Sequence, residues 1–178
     1  MESVIDELRP GLIINSAAYT FVDKAEKEPN LVFKTNVAAT KFLAEKSEKL
    51  GIILMQLSTD YVFDGLKKGA YTESDKANPK SVYGKSKYDA EEAVREFNPK
   101  HIILRTSWVY SLRGKNFLTT ILDMAKNKDS FGIVTDQIGS PTSAIFIANT
   151  ILEITKKIDQ IKKNNLYGIY NLTCSGSA

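Results

Sequence analysis

Ile52-Ile53-Leu54-Met55-Gln56-Leu57-Ser58-Thr59-Asp60 is an apolar run that stops on three small polar side chains. Residues 52–57 show no helical period and little polarity, so they read as a short strand buried on both faces, the kind found in parallel sheets covered by helices. The flanks agree. Upstream, Leu31, Val32, Thr35, Ala38, Ala39, Phe42, Leu43 and Leu50 recur at helical spacing, with Pro29 suited to the first turn and Gly51 just past the end. Downstream, Ser58 to Lys80 is a polar excursion, long enough in a compact domain to be functional. It leads into a helix carrying Tyr83 and Lys87. Further strands are predicted at Leu12–Asn15, His101–Thr106, near Phe131–Val134 and at Leu166–Leu172. Further helices are predicted near Asn116–Lys126 and from about Ser143 to Ile161. Strands alternating with amphipathic helices predict an α/β fold with a parallel sheet.

In open α/β sheets, ligands sit in the crevice beyond the carboxyl ends of the strands, where Ser58, Thr59 and Asp60 fall. In SVYGKSKYDAE (Ser81 to Glu91), Tyr83 and Lys87 stand four apart and face the same way on a helix. A cation beside a phenol favours the phenolate, lowering a pKa that is otherwise near 10 by about 1–3 units. A phenol tuned in that way can exchange a proton with a carbonyl oxygen near neutrality. The spacing alone is weak, because with 8 Tyr in the chain about one such match arises by chance. Ser58 and Thr59 could equally cap a turn, and Asp60 could be a turn residue.

Five ordered blocks carry a stronger signal: INSAAYTFVDKAE (Ile14 to Glu26), STDYVFDG (Ser58 to Gly65), SVYGKSKYDAE (Ser81 to Glu91), ILRTSWVY (Ile103 to Tyr110) and TDQIGSPTSA (Thr135 to Ala144). With them the chain resembles the short-chain dehydrogenase/reductase superfamily in its extended, nucleotide-sugar branch, and within it the dTDP-4-dehydrorhamnose reductases. The resemblance implies a Rossmann-like parallel sheet with flanking helices, incomplete at the N-terminal glycine-rich βα unit. It implies one partial NAD(P)-binding and catalytic domain over residues 1–178, with substrate-contacting segments near 105–117 and 135–144. The implied reaction is reduction of dTDP-4-dehydro-L-rhamnose to dTDP-L-rhamnose by NADPH or NADH. Thr59, Tyr83 and Lys87 form the implied catalytic set: Tyr83 gives the proton, Lys87 lowers its pKa and meets the nicotinamide ribose, and Thr59 orients the carbonyl. Cofactor contacts are implied at Ala17, Ala18, Thr20, Ser58, Tyr83 and Lys87, and substrate contacts at Thr59, Asp60 and Trp108. Tyr19 departs from the residue the family often carries there. Small residues such as Ala17 and Ala18 also occur for packing, and a lone Trp is often a core or rim residue.

The family opens on a strand, a glycine-rich phosphate loop and a helix, yet none of the ten glycines here falls into a GxxGxxG pattern. The expectation is that roughly fifty residues of a full-length relative precede Val4–Arg9 and roughly seventy follow NLTCSGSA. Pyrophosphate binding relies on that glycine-rich turn, so the isolated chain is expected to bind NADPH weakly and to be inactive as a reductase. The preference between NADPH and NADH is not legible.

The composition, 43% hydrophobic and 25% charged over 178 residues, suits one domain with a sizeable core. Net charge is +3, and the lysines of 41–49 and 156–163 read as solvated helix faces, so no nucleic-acid partner is expected. The single Cys174 fits a cytoplasmic setting. No apolar run nears the ~18 residues of a membrane span. His101 reads as structural, Asp23, Glu26 and Glu28 as a solvated helix face, and no metal-ligand spacing occurs, so no metal is expected. The expected partner is a dTDP-4-keto-6-deoxy sugar, with a homodimer left open. Two alternatives stand beside the reductase: another nucleotide-sugar epimerase or dehydratase, and a non-catalytic NADP-binding regulatory subunit resembling that of methionine adenosyltransferase.

Overall fold

The computed structural model of the chain describes residues 2–114 and 116–178. In chain order the elements are α1 (Glu2–Leu8), β1 (Leu12–Asn15), α2 (Val22–Ala25), α3 (Pro29–Phe33), a π-helical turn (Lys34–Ala38), α4 (Ala39–Lys49), β2 (Ile53–Thr59) and a 3₁₀ turn (Asp60–Val62). Then come α5 (Val82–Phe97), β3 (His101–Thr106), β4 (Val109–Tyr110), α6 (Phe117–Asn127), β5 (Thr142–Ser143), α7 (Ala144–Lys156), α8 (Ile158–Asn164) and β6 (Gly168–Asn171). These elements gather into two compact units, one reaching to Arg105 and including Leu166–Asn171, the other comprising Thr106–Asn165 and Leu172–Ala178.

The first unit holds a four-stranded sheet in the order β1-β2-β3-β6. β1 runs parallel to β2, Leu12 opposite Ile53 and Asn15 opposite Gln56, and β3 runs parallel to β6, Ile102 opposite Gly168 and Arg105 opposite Asn171. β2 and β3 are buried almost throughout, which is why each reads as an apolar run instead of an alternating one. Ile5, Leu43, Ala44, Ile52, Leu54, Val94 and Ile103 form the core against them. Each fully buried Leu, Ile or Val is worth about 1.5–3 kcal/mol. β2 extends two residues beyond the expected 52–57, so Ser58 and Thr59 lie on the strand.

The expected helix over 31–50 is a continuous run from Pro29 to Lys49, interrupted by the π turn. Gly51 follows it at φ 68°, the left-handed conformation that glycine adopts freely at a helix end. Val32, Asn36 and Thr40 form one buried stripe, so the wider turn places an amide in a position that an unbroken apolar face would fill.

In the second unit β4 and β5 pair in parallel, Val109 opposite Thr142. Asn116 begins α6 with a capping box in which its side chain accepts from the Thr119 N–H while the Thr119 hydroxyl accepts from the Asn116 N–H. Two expectations need correction. No strand forms at 131–134, where Ile133 and Val134 lie exposed in irregular backbone without a pairing partner. The single helix expected over 143–161 breaks at Lys157, whose φ −98° and ψ 13° leave the helical range. In the first unit, the strand expected at 166–172 shortens to Gly168–Asn171.

Candidate active site

Thr59 ends β2 in an extended conformation and caps the 3₁₀ turn, its Oγ1 accepting from the Tyr61 N–H at 3.2 Å. The same hydroxyl donates to Asp60 Oδ1 at 3.1 Å, and it acts on the Tyr83 phenol, favouring the charged form. Thr59 has one proton to give, so it serves Asp60 or the Tyr83 oxygen, not both at once.

Tyr83 lies in the first turn of α5. That end is fixed by Ser81, whose Oγ accepts from the Gly84 N–H at 3.0 Å, and by Glu26, whose Oε1 accepts from the Val82 N–H at 2.8 Å. Both bonds satisfy donors that a helix start leaves open. Glu26 is therefore a capping residue for α5 and not merely part of a solvated face. Glu28 likewise accepts from the Tyr19 hydroxyl at 2.7 Å and pairs with Lys24. Gly84 lets the helix approach the turn after β2 closely, since a Cβ there would collide with the Tyr61 carbonyl oxygen. The rings of Tyr61 and Tyr83 meet edge to face at 5.6 Å.

Lys87, one turn further along α5, is 5% exposed and donates from Nζ to the Leu57 carbonyl at 2.7 Å. Burial pulls its pKa down to about 8, opposed by the Glu91 carboxylate. Burial pushes Tyr83 up to about 12; Asp60 and Tyr61 add to the rise, and the Thr59 hydroxyl opposes it. The expectation that Lys87 acidifies Tyr83 is thereby corrected. The ammonium is directed to a backbone carbonyl, and desolvation of the phenol outweighs what favours its charged form. Tyr83 is thus a neutral phenol at ordinary pH, suited to giving a proton and not to taking one.

Ser58, the residue before Thr59 on β2, donates its hydroxyl proton to the buried carboxylate of Glu91 on α5.

Beyond β1, the Ala17 N–H is held by the Asn15 side-chain oxygen at 3.2 Å, leaving Ala17 and Thr20 exposed and Ala18 half-buried. Asn36 secures this loop: its Oδ1 accepts from the Tyr19 N–H at 2.7 Å, and its Nδ2 donates to the Tyr19 carbonyl at 3.2 Å and to Ser86 Oγ at 2.9 Å. Ser86 donates in turn to the Tyr83 carbonyl at 2.7 Å. Asn36 links the 16–20 loop to the helix bearing Tyr83 and Lys87, and the sequence reading passed over it. The available signal was a polar side chain four residues from Val32 and from Thr40 on a buried stripe.

The excursion after the 3₁₀ turn is braced from within. Asp64 accepts from the Leu66 N–H, the Tyr71 hydroxyl and the Asn78 amide, which together hold its carboxyl down to about 2. Lys67 and Thr72 hold Asp75 down to about 2 in the same way. His101 Nδ1 lies 2.6 Å from the Asn98 carbonyl, a structural pairing.

Trp108 belongs to the second unit. Its backbone is left-handed at φ 44°, rare for a bulky residue, and its ring packs so closely on Gly139 that a Cβ there would strike the indole. Its carbonyl accepts from the Thr142 N–H at 3.2 Å. In the 135–144 segment, Gly139 and Ala178 exchange backbone hydrogen bonds and Ser140 donates to the Gly176 carbonyl. Of the 105–117 segment, Lys115 lies outside the described residues. Among the described residues no helix is long and apolar enough to cross a membrane.

Comparison with known proteins adds a family to this geometry. The chain is 46% identical over 171 residues to dTDP-4-dehydrorhamnose reductase of Aggregatibacter actinomycetemcomitans, a match covering 96% of the chain and 58% of that protein. It is also 46% identical to the reductase of Sinorhizobium fredii, covering 99% of the chain and 60% of that protein. Among solved structures, a dTDP-4-dehydrorhamnose reductase from Clostridium acetobutylicum superposes with a TM-score of 0.91 at 40% identity over 99% of the chain and 60% of its own. The Bacillus anthracis reductase, solved in complex with NADP, gives 0.86 at 38% identity, with 99% and 60% covered. The chain thus spans about 60% of the length of these relatives. Over residues 1–178 it matches the family model described as the RmlD substrate binding domain, and it belongs to that family.

Proposed function

We propose that this chain carries the proton-transfer machinery of a dTDP-4-dehydrorhamnose reductase, reducing the 4-keto group of dTDP-4-dehydro-L-rhamnose to give dTDP-L-rhamnose. The observation that carries the reading is Thr59 at the carboxyl end of β2 acting on the Tyr83 phenol at the start of α5, with Lys87 buried one turn along the same helix. As negative charge develops on the substrate oxygen, Tyr83 gives it the phenolic proton. Thr59 can then turn its own proton from Asp60 to the phenolate or to the substrate oxygen, stabilising the charge where it appears. Lys87 is protonated below about pH 8 and supplies a fixed positive charge behind the pair.

The residues present fit a nicotinamide cofactor. Ala17 and Thr20 are small, exposed and follow a strand end, and Lys87 keeps N–H groups beyond the one given to Leu57. Ala17, Ala18, Thr20, Ser58, Tyr83 and Lys87 would hold it, and NADPH or NADH when bound supplies the hydride that reduces the carbonyl carbon. Thr59 and Asp60 would meet the sugar nucleotide.

The test expresses the whole reading frame that encodes this chain and supplies NADPH with dTDP-4-dehydro-L-rhamnose. The reading expects NADPH oxidation that depends on the sugar nucleotide, and NADPH binding without turnover would favour a regulatory role instead.

A further inference from the structure

Glu91 stands on the same stripe of α5 as Tyr83 and Lys87 and is fully buried. Arg105 on β3 grips it from Nε at 3.0 Å and Nη2 at 2.6 Å, and Ser58 on β2 donates to Oε1. Arg105 is 4% exposed, its guanidinium lies over the Phe63 ring at 5.0 Å, and among the described residues its Nη1 has no hydrogen-bond partner. A lattice this deep, with one donor unmatched, is costly to retain for stability alone, because a buried ion pair seldom outdoes well-packed apolar residues. Its position suggests a use: it joins α5 one turn beyond Lys87 to the strand residue preceding Thr59.

We infer that Glu91 is a positioning residue of the reductase site, its carboxylate tying α5, one turn beyond Lys87, to β3 through Arg105 and to the Thr59 end of β2 through Ser58. The inference rests on the reductase reading for its purpose but not for its test. The titratable and charged groups linked to this stripe of α5 are Asp60 and Tyr61 beside Tyr83, Glu91 beside Lys87, Arg105 on Glu91, and Glu26 at the helix start. Of these, Glu91 is the one whose charge acts on Lys87, favouring the ammonium against burial. Arg105 neutralises Glu91 from the side away from Lys87's helix and sets the carboxylate plane by its two-pronged grip. Ser58 then fixes one carboxylate oxygen and, through the strand, the residue beside it.

The test follows the titration of Lys87 by NMR of labelled lysine in the wild-type chain and in Glu91→Gln, Ser58→Ala and Glu91→Gln/Arg105→Met. The inference expects a midpoint of about 8 in the wild type, a lower midpoint in both Glu91 variants, and the wild-type midpoint in Ser58→Ala. If Glu91→Gln fails to fold because Arg105 is left buried without a counter-charge, the paired variant, neutral at both positions, carries the same comparison. An unchanged midpoint in the folded Glu91 variants overturns the inference, as does an equal displacement in Ser58→Ala, which would mark a packing effect. In the whole reading frame, Glu91→Gln should also move the alkaline limb of kcat to lower pH, and a uniform fall at every pH would indicate structure alone. Wild-type protein without turnover would count against the reductase reading while leaving the lysine titration to decide the role of Glu91.

Discussion

Raising the pH from 7 to 9.5 should make the chain more stable through Lys87, the reverse of what an ion-paired lysine with a raised pKa does. Lys87 titrates near 10.5 when unfolded and at about 8 when folded, so between those values the unfolded chain holds the extra proton. Stability from this group is fully present above about 10.5 and is lost as the pH falls through about 8. At about 1.4 kcal/mol per pH unit the whole span is worth roughly 3 kcal/mol, of which roughly 2 kcal/mol is gained by pH 9.5. The measurement stops there because Tyr83, raised to about 12, contributes the opposite slope once the pH exceeds 10. Urea unfolding followed by circular dichroism at half-unit steps, in wild type and Lys87→Met, isolates the effect. The gap between the two proteins should change by roughly 2 kcal/mol in favour of the wild type across the window. A constant gap would mean that the ammonium is not desolvated between α5 and β2, and the electrostatic account of the site would fall with it.

Other perturbations follow from the same contacts. Gly84→Ala should cost about 1–3 kcal/mol by driving a methyl into the Tyr61 carbonyl, and crosslinking or NMR shifts at Tyr83 should report the displaced helix start; a neutral substitution would refute the close approach. Asn36→Ala should cost about 1–3 kcal/mol in urea unfolding and speed amide exchange at Tyr19, whose backbone it satisfies on both sides. Because Asp64 and Asp75 are held down to about 2, the braced excursion is secure above about pH 4 and loosens as the pH falls toward 2. Pepsin should then cut first within 64–78, and first cleavage elsewhere would contradict that bracing.

The elements legible in the sequence were those whose physics is local. Leu12–Asn15 and His101–Thr106 match their strands because short β-type runs bounded by turn residues have few other uses. Phe131–Val134 has the same composition but no neighbour to pair with, and pairing is not written in a run of four residues. The Tyr83–Lys87 spacing was visible, whereas the direction of the phenol's pKa was not, since it turns on burial and on Lys87 choosing the Leu57 carbonyl. Glu91 and Arg105 are fourteen positions apart, and only the adjacency of α5 and β3 makes them partners. Asn36 acts through the π turn, a backbone feature with no residue signature of its own.

The most direct test of the proton-donor assignment compares kcat of Tyr83→Phe with wild type, in the whole reading frame, on dTDP-4-dehydro-L-rhamnose and NADPH. Loss of the hydroxyl removes the donor while keeping the ring against Tyr61, so kcat should fall by about 10²–10⁴ with the unfolding midpoint little changed. Turnover within a few-fold of wild type would contradict the assignment.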